Sequence, residues 1–360
     1  MKSHSHAGIG RFRAASAALF SCILFSSHLP AKPDDASVTY SGRAAVSLVN
    51  DSSEVPPSIV DTGPLPSFGG TIEVSSDSVS EHSGDLSFET AYATTSGVGP
   101  QTFSLASANS FHIVVKPMNG AADTEIDADV ISATATASAA PSGKVDLDSS
   151  SDIEGLTVNG QAVAVTGQPN QTISFPGGTI VINEITSSVS SDQTSGALTV
   201  VAIHIFDTGC FNGTFGVASA GIASVKGSHP PPPTDCGKLT GGGWITGPSG
   251  AKATFAVSGG IRDGSYWGHL NYIDHGTGMH VQSTAVTGFT DDSAGGSGRI
   301  ITYNVTIDGQ AGTAQVHAVD NGEPGRHDIF GISLSNGYAA SGTLGGGNIQ
   351  LHKCPPGWAK

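Results

Sequence analysis

The chain has 360 residues, a formal net charge of −15, only 12% charged residues, 6% aromatics and 49 glycines. So low a charge fraction excludes long exposed helices, which need Lys, Glu and Arg on their solvent face. The acidic balance disfavours attraction to nucleic acid or to an anionic surface. The abundance of Ser, Thr, Ala and Val instead suits half-buried pleated sheets.

Taken in chain order, Lys2, Arg11 and Arg13 precede the apolar run AASAALFSCILF, and a polar stretch ending LPA leads into KPDD. This is the pattern of a secretory signal peptide, placed over residues 1–31. The apolar run is too short to span a hydrocarbon core of roughly 30 Å. Cys22, in LFSC, loosely resembles a lipidation cysteine, but the ILF that follows it belongs inside a signal core. No second apolar segment predicts a transmembrane span.

Residues 32–226 form a Ser- and Ala-rich unit. Within it ALTVVAIHIF carries Leu198, Val200 and Ala202 on one face and Val201, Ile203 and Ile205 on the other, which predicts a central strand covered on both sides. His204 in that strand reads as a hydrogen-bonded core residue rather than a ligand. The run GSHPPPPTD at 227–235 is a semi-rigid polyproline spacer. Residues 236–354 form a second unit, followed by a tail at 355–360. In RIITYNVTI, residues Ile301, Tyr303, Val305 and Ile307 share one face, while Thr302, Asn304 and Thr306 share the other, the alternation of a strand with one wet face. Turn signals such as VNGQ, FPGGT, DNGEPG and SNGY separate such runs. The economical architecture is all-β: two tandem antiparallel β-sandwich or Greek-key domains joined by the proline-rich linker.

The second unit is framed by CGKLTGGGWITG, opened by Cys236, and GTLGGGNIQLHKC, closed by Cys354. Read as its first and last strands and paired antiparallel, these runs bring the two thiols within disulfide reach, which implies an oxidising destination. The pairing closes a loop for which chain entropy gives up to roughly 4 to 5 kcal/mol. With Cys22 removed, Cys210 in FDTGCFNG is left over. It is then a free thiol, an intermolecular partner, or a competitor for Cys236. No His in its loop supports a catalytic thiol.

Two clusters raise the question of chemistry. In GHLNYIDHGTGMH, strand geometry points Leu270, Tyr272 and Asp274 one way and His269, Asn271 and His275 the other, the first set core and the second a wet face. His269 and His275 lie about 20 Å apart at roughly 3.3 Å per residue, too far for one zinc ion, which needs three or four converging donors. His275 with His280 across the GTG turn remains a candidate pair. In DNGEPGRHD, Asp320, Glu323 and Asp328 offer oxygen ligands to Ca²⁺, although Asn-Gly and Pro-Gly are also ordinary turn chemistry. Glu323 with Asp328 would serve glycoside hydrolysis only beside a sugar platform, which the flanking sequence does not supply. There is no G-x-S-x-G elbow, and GGGW and GGGN precede strands rather than helices, so they are not phosphate loops. Those glycines allow close strand approach or bulges at a seam.

The stretch SSDIEGLTVNGQAVAVTGQPNQTISFPGGTIVINEI, followed by ALTVVAIHI, resembles the hallmark region of bacterial choice-of-anchor P domains. The stretches GGGWITGPSGAKATFAVSGG, WGHLNYIDHGTGMHVQS and DNGEPGRHDIFGISLSNGYAASGTLGGGNIQLHKC are similar to the post-COAP-1 domain that commonly follows it. The resemblance implies an exported bacterial protein and no particular reaction. The run GWAK carries no sorting motif of the kind that family uses, so the expected localisation is secreted or extracellular, with cell-surface association left open. The expectation is a secreted, non-catalytic structural or adhesive module that meets an extracellular or cell-surface partner. The alternatives are a glycan- or Ca²⁺-binding module and, third, a hydrolase.

Overall fold

The computed structural model describes residues 38–353, apart from short segments at 50–57, 82–83, 118–119, 141, 208, 210, 224–236, 263–264, 293–295 and 323–324. The expected signal peptide, the proline-rich linker and all four cysteines lie outside the described residues. Residues 36–360 form one compact unit. The protein is all-β.

The first half contributes β1 (Thr39–Val49), β2 (Ser58–Asp61), β3 (Gly70–Glu81), β4 (Leu86–Val98), β5 (Gln101–Val115), β6 (Thr124–Ala139), β7 (Val145–Glu154), β8 (Thr157–Val158), β9 (Gln161–Ala162), β10 (Gln171–Phe175), β11 (Gly178–Val189), β12 (Ser195–Asp207) and β13 (Asn212–Ala223). The second contributes β14 (Gly237–Thr246), β15 (Lys252–Arg262), β16 (Ser265–Trp267), β17 (Leu270–Asp274), β18 (Met279–Asp291), β19 (Gly298–Ile307), β20 (Gln310–Val319), β21 (Ile329–Leu334), β22 (Ala339–Thr343) and β23 (Gly346–Lys353).

Sheet 1 runs β10-β11-β12-β13-β1-β2, and sheet 2 runs β3-β4-β5-β6-β8-β9 with β7 also on β6. Their facing sides bury Phe88, Phe111, Ile126, Ile131, Ile203 and Phe215 in one core. Sheet 3 runs β22-β21-β20-β19-β18-β17-β15-β14-β23, with β16 also on β15, so its strands follow one another as a meander until the last returns beside the first. It encloses a second core that includes Phe255, Tyr272, Ile301, Tyr303 and Phe330.

Two strands show how far local alternation carries. In β19, Ile301, Tyr303, Val305 and Ile307 all enter the second core, as their spacing predicts. In β12, by contrast, Leu198, Val200, Ala202, Ile203 and Ile205 all belong to the same core. Its apolar pattern therefore records a change of parity within the strand. The residues beside Ala202 in the neighbouring strands, Asn183 and Gly216, have positive φ of 53° and 62°, and the ladder pairs Val201 with Val217 and then Ile203 with Phe215. Asn and Gly are the residues that enter this region at least cost. The inward side switches there, and two consecutive apolar residues face one core.

Sheet 2 has a third layer against it. A small core joins Tyr92, Phe103 and Leu105 of sheet 2 to Ala256 of sheet 3. Around it, Tyr92 Oη meets Ser258 Oγ at 2.9 Å, Lys238 Nζ sits 3.2 Å from the centre of the Phe103 ring, and Asn271 Nδ2 donates to Ser76 O at 3.4 Å. A Cβ on Gly242 would come within 2.7 Å of Ser107 Oγ, so this glycine lets the two sheets approach. Asn271, expected on a wet face, is fully buried because sheet 2 covers it.

Candidate functional site

The residues of the GHLNYIDHGTGMH stretch are spread over three settings. His269 stacks on Tyr92 with ring centroids 5.2 Å apart. Its Nδ1 lies 3.2 Å from Ser283 Oγ, and its Nε2 is shut off from solvent without a partner among the described residues. Burial lowers its pKa to about 4, which keeps the ring neutral. Asp274 is fully buried and accepts from Tyr338 Oη at 2.8 Å and from Gly276 N at 2.8 Å, while Tyr272 and Tyr338 hydroxyls are 2.6 Å apart. Burial opposes ionisation of Asp274, but the hydrogen bonds from Tyr338, Gly276 and Thr277 outweigh it and hold the carboxyl below its usual range. His275 reaches Thr254 Oγ1 at 3.0 Å and Glu89 at 3.4 Å, and His280 lies 3.9 Å from Asp77. These groups therefore fasten sheet 3 internally or to sheet 2. Among the described residues they form no three-donor cluster.

The loop acids are engaged in a different way. Asp328, fully buried, accepts from Asn321 N at 2.7 Å and from Ile349 N at 2.8 Å. Asp320 accepts from Gly322 N at 2.9 Å and from Leu351 N at 2.8 Å. Ile349 and Leu351 are in β23, whose other side pairs with β14. The two carboxylates thus complete the hydrogen bonding along the outer edge of the last strand, where unpaired amides would otherwise invite another strand. Glu323, the third member of the expected calcium set, lies outside the described residues.

His204 is half-buried and bonded through both ring nitrogens, to Glu184 Oε2 at 2.7 Å and to Asn212 Oδ1 at 2.9 Å, as a structural residue would be. Beside Cys236 and Cys354, Gly237 and Lys353 are direct cross-strand partners in the antiparallel β14–β23 pair. Cys210 has no described contacts, being outside the described residues.

A convergent donor set occurs where the sequence did not point. His112 of β5 faces Asp127 of β6 across the ladder, with Nδ1 2.7 Å from Asp127 Oδ1 and 3.7 Å from Glu125 Oε1. One ligand atom from each of the three lies within 4.8 Å of the others. On the far side of Asp127, Thr157 of β8 is its next partner, with Oγ1 3.5 Å from Asp127 Oδ2. The signal available in the sequence was Glu-x-Asp in a strand, which puts two acids on one face. Placing His112 beside them needs the register of β5 against β6, which no local pattern supplies.

An open groove of about 430 Å³ at one end of sheet 1 is lined by residues including Tyr40, Ser188, Val189, Ser195, Ala197 and Ile222, with no acid or histidine among its described lining. Tyr40 Oη donates to Gly99 O at 2.6 Å.

No protein-family model matches the chain, and no curated protein matches it. Among solved structures, one provisionally named AttH from Nitrosomonas europaea is similar over 88% of this chain and 92% of its own, at 10% identity and a TM-score of 0.20.

Proposed function

We propose that this chain is an exported, non-catalytic structural or adhesive module, related to the choice-of-anchor P proteins that its sequence resembles, which presents its β surfaces to an extracellular or cell-surface partner. The observation that carries this reading is the use made of the chemistry-bearing residues in the second half. Asp274, Asp320 and Asp328 are spent on backbone amides and a tyrosine, and His269 and His275 on the junction with sheet 2. Residues committed to bonds of this kind stiffen a scaffold and are not poised to touch a substrate. Tyr266, 47% exposed, is a surface aromatic on which a glycan-binding reading would rest. Its companion feature, a calcium loop, has two of its acids already occupied by amides.

An oxidising destination accords with the Gly237–Lys353 pairing, which carries the ladder up to Cys236 and Cys354. The test is to express the chain with its own leader, fractionate the culture, and count thiols on the exported protein by intact mass. One disulfide and one free thiol in protein recovered from the medium or cell surface, together with saturable adhesion to cells or matrix, is the expected result. Retention in the cytoplasm with all thiols reduced, or turnover of a glycoside or ester panel, would overturn it.

A further inference from the structure

The row Ser87, His112, Asp127 and Thr157 runs across β4, β5, β6 and β8 by direct cross-strand pairing, and Glu125 is the next same-face residue along β6. The opposite sides of these strands carry Ile113, Val115 and Ile126 into the first core, so the backbone under the row is anchored. Two residues further along β6, Asp129 is tied to Lys252 of sheet 3 at 2.5 Å. The row therefore sits just beyond the junction of the two halves, on the face that sheet 3 covers nearby.

Its charge is unbalanced. Among the described residues no Lys or Arg pairs with Glu125 or Asp127, and each has His112 as its ion-pair partner. The nearby cation Lys116 is engaged with Asp85 at 2.5 Å. Side-chain exposures of 26% for His112, 56% for Glu125 and 40% for Asp127 leave the three open to an ion from solution. Two carboxylates share one imidazole on a fixed surface, so the cluster carries net negative charge, and a cation from solution would offset it.

The geometry points to a divalent transition-metal site, Zn²⁺ first, held by His112 Nδ1 and by one oxygen each of Asp127 and Glu125. Ligand atoms on one ion at about 2.0 to 2.2 Å lie roughly 3 to 4 Å apart, and the His112 separations of 2.7 and 3.7 Å approach that spacing. Binding replaces the His112–Asp127 hydrogen bond: Nδ1 gives up its proton and turns its lone pair to the metal, the neutral ring carries its one proton on Nε2, and any second proton is released to solvent. Thr157 Oγ1, already beside the second oxygen of Asp127, steadies that carboxylate from outside the ligand set. An imidazole among the donors favours Zn²⁺, Ni²⁺ or Cu²⁺ over Ca²⁺ and Mg²⁺, which prefer all-oxygen shells. With three protein ligands, the remaining coordination positions stay open to water or to a side chain of a partner.

The test uses the full mature chain, stripped with a chelator and then titrated calorimetrically with Zn²⁺, with Ca²⁺ as comparator. One equivalent of Zn²⁺ is expected, with affinity at least ~10-fold weaker in His112→Ala and in Asp127→Asn, since even outer partners of metal ligands cost about that much. The metal-free variants should keep the wild-type circular dichroism, which separates lost ligation from lost folding. Glu125→Gln, at the most exposed of the three, gives a second reading on a residue with little structural role. Uptake that is unchanged in these variants, as from the His275 and His280 region, or no stoichiometric Zn²⁺ uptake by the wild type, would overturn the assignment.

Discussion

The acids of the DNGEPGRHD loop and those at the start of β6 are both carboxylates a few residues apart, but they are put to opposite uses. Asp320 and Asp328 point at amides of β23 and finish a sheet edge. Glu125 and Asp127 stand on the face of a strand whose amides are already paired with β5, so their oxygens meet side chains, His112 and the Thr157 hydroxyl, and solvent rather than backbone amides. An acid beside an unpaired edge is drawn into completing the fold. One on a finished ladder is available to a ligand.

That contrast is open to direct attack, and the largest effect belongs to the edge. Replacing Asp328 with Ala removes a charge-assisted acceptor and strands the buried Ile349 amide, and should lower the unfolding free energy by about 3 kcal/mol. Urea unfolding measures it, and a loss below about 1 kcal/mol would mean that Asp328 does not hold the edge of β23.

Next in size is acid sensitivity at the junction of the halves. His352 of β23 packs its ring edge-on against Phe103 of sheet 2, 5.0 Å between centroids. Burial lowers His269 to about 4, and burial with the Lys238 charge lowers His352 to about 3, against 6.5 for the free ring. Because the folded values are depressed, the unfolded chain takes up the protons first. The stability is complete above about pH 6.5 and is lost as pH falls through the window towards 4 and 3. Near pH 5 each ring costs up to about 2 kcal/mol, less where partial exposure screens it. His352→Gln should flatten the fall in urea midpoint between neutral and mildly acidic buffer. An unaltered slope in that variant and in His269→Asn would show that the junction is not the acid-sensitive element.

Smaller again is Lys252→Met, which loses a half-exposed ion pair with Asp129 and a cation resting 4.6 Å from the Trp244 ring. Less than about 1 kcal/mol is expected, and added salt should erase most of it. Smallest is Glu125→Gln in the metal-free protein, with a shift in thermal midpoint corresponding to no more than about 0.5 kcal/mol. A large loss there would place Glu125 with the structural acids and remove the contrast.

Particular residues show how much of this was legible beforehand. Ile301, Tyr303, Val305 and Ile307 announced their face because a strand alternates with period two, and the runs after Cys236 and before Cys354 announced their pairing, now seen as Gly237 opposite Lys353. The apolar doublet Ala202–Ile203 misled, since a left-handed residue in each neighbouring strand turns alternation over without a mark in β12 itself. Asn271 misled in another way. A polar residue that will hydrogen-bond across a junction between sheets has the same local pattern as one that will face water. The candidate metal row was the least legible, because its histidine and acids come from different strands.

By itself, then, the sequence determined that the chain is built of antiparallel strands, where many of them lie, and which ends of the second half meet, because strand periodicity, turn chemistry and a framing pair of strands are local or nearly local properties. Only the tertiary structure decided that sheet 2 is covered on both faces, that the loop acids close an edge, and that His112 meets Glu125 and Asp127. Each of those outcomes depends on register and on the approach of distant surfaces, which set which polar groups lose water and therefore which must find a partner.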